Sequence, residues 1–193
     1  MENKKNILYI HGLDSGKNSD TFQTLKAHFS DYEWHTETFD LLNPGVATKQ
    51  IDDIITRKNI TTIVASSLGA FYGLNIRNSL AKILINPCLL PSIELPKLVK
   101  YVDVETFERM EEDIYSNIDQ ELRIYTLGVF GDKDELFDYS SLFAKLYRRI
   151  KRVSGGHKLD NKSLISSVQV GLDYFYIMAE ALKMEGQDGC LWE

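Results

Sequence analysis

Short apolar runs alternate with amphipathic stretches almost to the C-terminus, and that rhythm leaves few folds open. Strands separated by helical stretches, with no hairpin signal between them, build βαβ units and hence a parallel sheet. Strands are expected at Ile7–Ile10, Glu33–Phe39, Thr61–Ala65, Lys82–Asn86, Arg123–Phe130 and Ile150–Ser154. Helices are expected at Asp20–Phe29, Val46–Lys58, Leu68–Ser79, Tyr139–Arg149 and Lys162–Lys183. In the last, Leu164, Val168, Leu172, Phe175, Ala179 and Leu182 recur at steps of three and four, the stripe of a helix closing one face of a sheet. The expected class is α/β, a mainly parallel sheet of about six strands with helices on both faces, and 193 residues suit one domain spanning 1–193.

Charge narrows the partners. The 22 Lys and Arg against 28 Asp and Glu give a net charge of -6. A polyanion bound through bulk charge is therefore excluded, and no nucleic acid is expected. Cys88 and Cys190 form no Cys-x-x-Cys pair, so no metal site and no disulfide framework is expected. Met1 to Asn6 leads into only four apolar residues, too short for a signal or membrane segment, so a cytoplasmic chain with no membrane partner is expected.

One segment interrupts the alternation. Residues 88–121 form a candidate lid insertion, punctuated at its start by Pro91 and Pro96 and helical from about Val104 to Asn117. Asp103 to Glu121 carries eight carboxylates and one cation, Arg109, so most of the negative charge is concentrated here. A solvated helix face accounts for such a run. A lid over a pocket would in addition turn Phe107, Met110 and Tyr115 inward.

The strand Thr61–Ala65 runs through Ser66 and Ser67 directly into a helical pattern. Strand, sharp turn and helix are the setting of a nucleophile elbow, where the residues two before and two after the serine must be small. Ala65 and Gly69 flank Ser67 in this way, whereas Val64 and Leu68 flank Ser66, so Ser67 is the candidate nucleophile. A helix N-cap is the competing role, and it needs no partners elsewhere. A nucleophile needs a base and a carboxylate to orient it. His157 follows the last strand in Ser154-Gly155-Gly156-His157, at the carboxyl end of the sheet where catalytic groups gather. The fifth strand runs into Gly131-Asp132-Lys133-Asp134; Asp134 is preferred as the acid, with Asp132 and Asp138 as rivals.

The first strand ends in Ile10-His11-Gly12-Leu13. A loop in this place supplies one backbone N–H of an oxyanion hole, and the residue after the nucleophile supplies the other, so Leu13 and Leu68 are the expected donors. His11 is expected to organise this loop. Gly12 and Gly16 enclose three residues and Asn18 follows Lys17, so the spacing of a P-loop is not met. His11, Phe71, Tyr72 and Phe137 are the candidate substrate contacts.

With Ile-His-Gly at 10–12, Ala-Ser-Ser-Leu-Gly at 65–69, Asn86-Pro87, the run Asp134 to Tyr139 and Gly-Gly-His at 155–157, the chain resembles the α/β-hydrolase superfamily. More narrowly, it is similar to small bacterial esterases of the YqiA/UPF0227 type. The resemblance implies a compact α/β-hydrolase fold and cleavage of small acyl esters or thioesters through an acyl-enzyme. It also implies Ser67, Asp134 and His157 as the triad, a small-molecule acyl substrate, no cofactor and no metal. A peptidase or amidase with the same triad, and a non-catalytic binding protein of this fold, are the alternatives.

Overall fold

The computed structural model describes residues 5–76 and 80–188, with side chains described as far as residue 181. The first four residues, the expected helix end at Ser79, the Leu182 side chain, Cys190 and Trp192 lie outside the described residues. Six strands, β1 (Asn6–Ile10), β2 (Glu33–His35), β3 (Thr62–Ser66), β4 (Ala81–Ile85), β5 (Thr126–Gly131) and β6 (Ile150–Val153), form one sheet in the order β2-β1-β3-β4-β5-β6. Every neighbouring pair is parallel. The helices are α1 (Asp20–His28), α2 (Pro44–Lys58), α3 (Leu68–Asn75), α4 (Pro91–Leu98), α5 (Val104–Ser116), α6 (Gln120–Ile124), α7 (Ser140–Tyr147) and α8 (Asn161–Asp188). This is the α/β architecture that the alternation implies.

Strand alternation divides the core into two layers. Leu8, Ile10, Ile63, Ala65 and Leu84 point to one face and pack with Ile51 and Ile54 of α2, Phe71 of α3, Phe107 of α5 and Phe143 of α7. Ile7, Tyr9, Val64, Ile83 and Ile85 point to the other and pack with Phe22 and Leu25 of α1 and Leu164, Val168, Leu172 and Phe175 of α8. Among the described residues, no helix is long and apolar enough to cross a membrane.

Four expected elements differ. α3 ends at Asn75 instead of Ser79, with Ile76 already extended (φ -75, ψ 111). β2 stops at His35 instead of Phe39, because beyond that point side chains hold the edge segment: Thr36 Oγ1 donates to the Tyr9 carbonyl at 2.9 Å and the Phe39 N–H donates to His11 Nε2 at 2.9 Å. β5 begins at Thr126 instead of Arg123, because the Asp119 carboxylate accepts the Leu122 N–H at 2.7 Å and starts α6 there. The proline-marked stretch after β4 contains a helix, α4, with Pro91 in the first turn, where a missing N–H costs no hydrogen bond. Glu111 of α5 accepts both the Ser92 N–H (2.8 Å) and its hydroxyl (2.9 Å), tying α4 to α5. Phe107 is fully buried and Met110 and Tyr115 pack partly buried against the same core, so these side chains turn toward the core of the domain.

Candidate active site

Ser67 sits between β3 and α3 with φ 52 and ψ -122, a conformation few residues other than glycine adopt. Such backbone strain costs about 1–3 kcal/mol and persists only where the surroundings fix it. Here the Ser67 N–H donates to the Ile85 carbonyl at 2.9 Å, while the Ser67 carbonyl accepts from Ala70 and Cys88, each at 3.1 Å. Space is as restrictive as the hydrogen bonds. A Cβ at Gly69 would lie 2.1 Å from the His11 carbonyl oxygen, and one at Gly12 would lie 3.0 Å from the Ser67 Cβ. Although Ser67 occupies the cap position of α3, its hydroxyl makes no capping hydrogen bond.

That hydroxyl lies 2.9 Å from His157 Nε2. On the far side of the imidazole, Nδ1 lies 2.9 Å from Asp134 Oδ2 and 3.1 Å from Oδ1. An ionised carboxylate only accepts, so Nδ1 carries the proton and Nε2 presents a lone pair to the serine hydroxyl. The Asp134 side chain is 4% exposed and that of His157 17%. Burial raises the Asp134 pKa, but the bonds from His157 and from the Leu136 and Phe137 N–H groups outweigh it, and the carboxyl is held below its usual value. Phe137 meets the His157 ring edge-on, with centroids 4.9 Å apart.

The rival acids are engaged elsewhere. Asp132 accepts the Gly155 N–H at 3.0 Å, and Asp138 accepts the Ser140 N–H at 2.8 Å and faces Arg152 at 3.6 Å. The adjacent Ser66 hydroxyl is 3.0 Å from the Tyr9 hydroxyl. The Leu13 N–H follows β1 and the Leu68 N–H opens α3; neither donates to a carbonyl among the described residues.

An open cleft of about 810 Å³ runs past Ser67 and His157. Leu13, Ile85, Leu98, Leu136 and Leu159 give it an apolar wall, and the segment from Asp14 to Thr21 gives it a polar one. None of the four expected substrate contacts lines this cleft; Phe137 packs against the His157 ring instead. Phe71 and Tyr72 follow Ser67 by four and five residues, which places them on the inward side of α3; both are buried, and the Tyr72 hydroxyl donates to the Leu41 carbonyl at 2.7 Å. His11 is buried too. Its Nδ1–H donates to the Gly12 carbonyl at 2.7 Å and its Nε2 accepts from Phe39, so it organises the loop and does not face the cleft. Two residues that the sequence offers only within matching motifs, with no role assigned, hold the histidine loop: Glu135 accepts the His157 N–H at 2.9 Å, and the Asn86 carboxamide reaches the same loop.

A parallel sheet with its serine, histidine and carboxylate brought together at the carboxyl ends of β3, β5 and β6 defines the α/β-hydrolase fold. Solved structures agree at the level of fold. Est1E from Butyrivibrio proteoclasticus is 16% identical with a TM-score of 0.68, over 93% of this chain and 90% of that one. Est1E with ferulic acid bound gives 16% and 0.64, over 93% and 91%. A point mutant of SOBER1 from Arabidopsis thaliana gives 15% and 0.59, over 90% and 100%. The family model described as "Uncharacterised protein family (UPF0227)" matches residues 6–165, and the chain belongs to that family. No curated protein matches the sequence.

Proposed function

We propose that the protein is a serine hydrolase that cleaves small acyl esters or thioesters through an acyl-enzyme. The observation that carries this reading is the unbroken relay from Ser67 Oγ through His157 to Asp134, with 2.9 Å at each joint. The Ser67 oxygen attacks the acyl carbonyl carbon while its proton passes to His157 Nε2. Asp134 holds the imidazole in the required tautomer and stabilises the imidazolium. The Leu68 and Leu13 N–H groups donate to the oxyanion. His157 then returns the proton to the departing alkoxide or thiolate, leaving the acyl group on Ser67. In the second half a water gives a proton to His157, attacks the acyl carbon and releases the acid as the proton returns to Ser67.

The reaction so written calls for no cofactor and no metal. We read residues 1–193 as a single domain in which the 88–121 segment shapes the cleft, since Leu98 from that segment lines it. Likeness in fold to Est1E, which binds ferulic acid, supports a substrate with a small organic acyl group. A cytoplasmic setting is supported by Cys88, a free buried thiol.

A fluorophosphonate probe followed by peptide mapping tests the reading. Labelling at Ser67, absent in Ser67→Ala, together with release of p-nitrophenol from p-nitrophenyl acetate, is the expected result. Labelling at Ser66 or none at all would overturn the nucleophile, and turnover unchanged in Ser67→Ala would overturn the mechanism.

A further inference from the structure

The turn after β4 grips both sides of the Ser67–His157 contact. On one side its backbone holds the serine: the Ile85 carbonyl accepts the Ser67 N–H at 2.9 Å and the Cys88 N–H donates to the Ser67 carbonyl at 3.1 Å. Between them stands Asn86, 2% exposed and at φ 43, a left-handed conformation that asparagine tolerates better than most side chains. On the other side, its Nδ2 donates to the carbonyls of His157 (2.8 Å) and Gly156 (3.1 Å), and its Oδ1 accepts the N–H of Gly131 (2.8 Å). Gly131 ends β5, the strand from which the Asp134 loop departs. The histidine loop lies directly on it, since a Cβ at Gly131 would come within 2.5 Å of the Gly155 carbonyl oxygen.

We propose that Asn86 is a positioning residue, whose carboxamide sets the distance between His157 Nε2 and Ser67 Oγ by fixing the histidine loop to the turn that holds the serine. This rests on the serine-hydrolase reading above. The chemistry of the side chain fits the task closely. Two donors and an acceptor on one short, planar group match two carbonyls and one N–H; a carboxylate would set negative oxygen against two carbonyl oxygens. Two other side chains hold the same loop, Glu135 through the His157 N–H and Asp132 through the Gly155 N–H, but both are exposed. Water can replace an exposed tie, whereas loss of the buried Asn86 amide leaves carbonyls without partners.

Asn86→Gly keeps the left-handed backbone and removes the ties, and Asn86→Asp keeps shape and the Gly131 contact but loses both donors. With p-nitrophenyl acetate, kcat is expected to fall about 100-fold in Asn86→Gly, the effect of a displacement near 1 Å, with KM within about twofold of wild type. Glu135→Ala is expected to lower kcat by less than about tenfold. The downfield proton resonance of His157 Nδ1–H reports on the ring without turnover, and it should shift or broaden in both Asn86 variants. Wild-type kcat in either folded variant, or an unchanged His157 resonance in both, would overturn the assignment. A wild-type protein that neither labels at Ser67 nor turns over ester would instead overturn the serine-hydrolase reading, while the resonance still tests the positioning.

Discussion

Gly69 passes so close beneath the end of β1 that a Cβ on it would stand 2.1 Å from the His11 carbonyl oxygen. The obstacle is backbone, so no rotamer change relieves it, and α3 would have to lift away from the strand together with Ser67. Gly69→Ala is therefore expected to cost about 3 kcal/mol and to abolish ester turnover. Gly45, in the first turn of α2, has nothing within 4 Å of its Cβ position. Gly45→Ala should be neutral or stabilise by up to about 1 kcal/mol, and urea denaturation of the two variants checks both.

This contact explains why Ser67 was legible in the sequence. The requirement for small residues at Ala65 and Gly69 is steric and local, so residue type alone separates Ser67 from Ser66. The acid was less legible. Asp132, Asp134 and Asp138 leave the same strand, and only the path of the loop decides which one meets the imidazole. Asn86 was harder still, because its partners lie 70 and 71 residues further along the chain. Phe71 and Tyr72 show the converse. Apolar residues beside a nucleophile read equally well as pocket wall or core, and the hydrogen bond from Tyr72 to Leu41 settles them as core. The α/β order was legible throughout, since alternation of two periods is a property of whole segments. Where the edge strand β2 stops was not, because side-chain bonds end its ladder.

Asp134→Asn tests the acid with minimal change of shape. The amide can present its N–H to Nδ1 and so favour the wrong tautomer, leaving Nε2 protonated and unable to accept from Ser67. A fall in kcat of about ten-thousand-fold is expected, the size of the loss when a buried triad aspartate is amidated in a serine protease. Asp132→Asn should lose far less, because its carboxylate serves one exposed backbone N–H. Equal losses in the two variants would argue against Asp134 as the orienting group.

Acid should weaken the fold in two stages. Burial holds the His11 pKa below its usual value, although the bond to the Gly12 carbonyl pulls the other way, and protonation would remove the acceptor for the Phe39 N–H. The unfolded chain then binds more protons than the folded one below about pH 6.5, so stability, complete above that pH, declines as the pH falls toward the lowered folded value. Burial lowers the His35 pKa as well and adds to this stage. The second stage belongs to carboxylates that the fold holds below their usual values, Asp134, Glu94 and Asp138 among them: the Asp134 contribution is present above about 3.9 and is lost as the pH falls through the folded value. Urea midpoints measured from pH 8 to 3 should show both declines, the first shallower in a His11→Asn variant. A midpoint constant between pH 7 and 5 in wild type would count against the first stage.

Leu98 and Phe107 belong to the same insertion and should respond to truncation in opposite ways. Phe107 is fully buried, with its ring centroid 6.0 Å from that of Phe71, so Phe107→Ala opens a cavity in the core and should cost about 3–5 kcal/mol. Leu98 is 49% exposed and is one of the apolar residues that line the cleft. Leu98→Ala should change stability by no more than about 0.5 kcal/mol. Its effect belongs to substrate length: each methylene it covers is worth about 0.8 kcal/mol when fully buried. KM for p-nitrophenyl hexanoate should therefore rise about three- to tenfold, while KM for the acetate stays near wild type because a two-carbon acyl group has little apolar surface for Leu98 to cover. An equal rise for both esters would show that Leu98 acts on the cleft as a whole and not on the acyl chain.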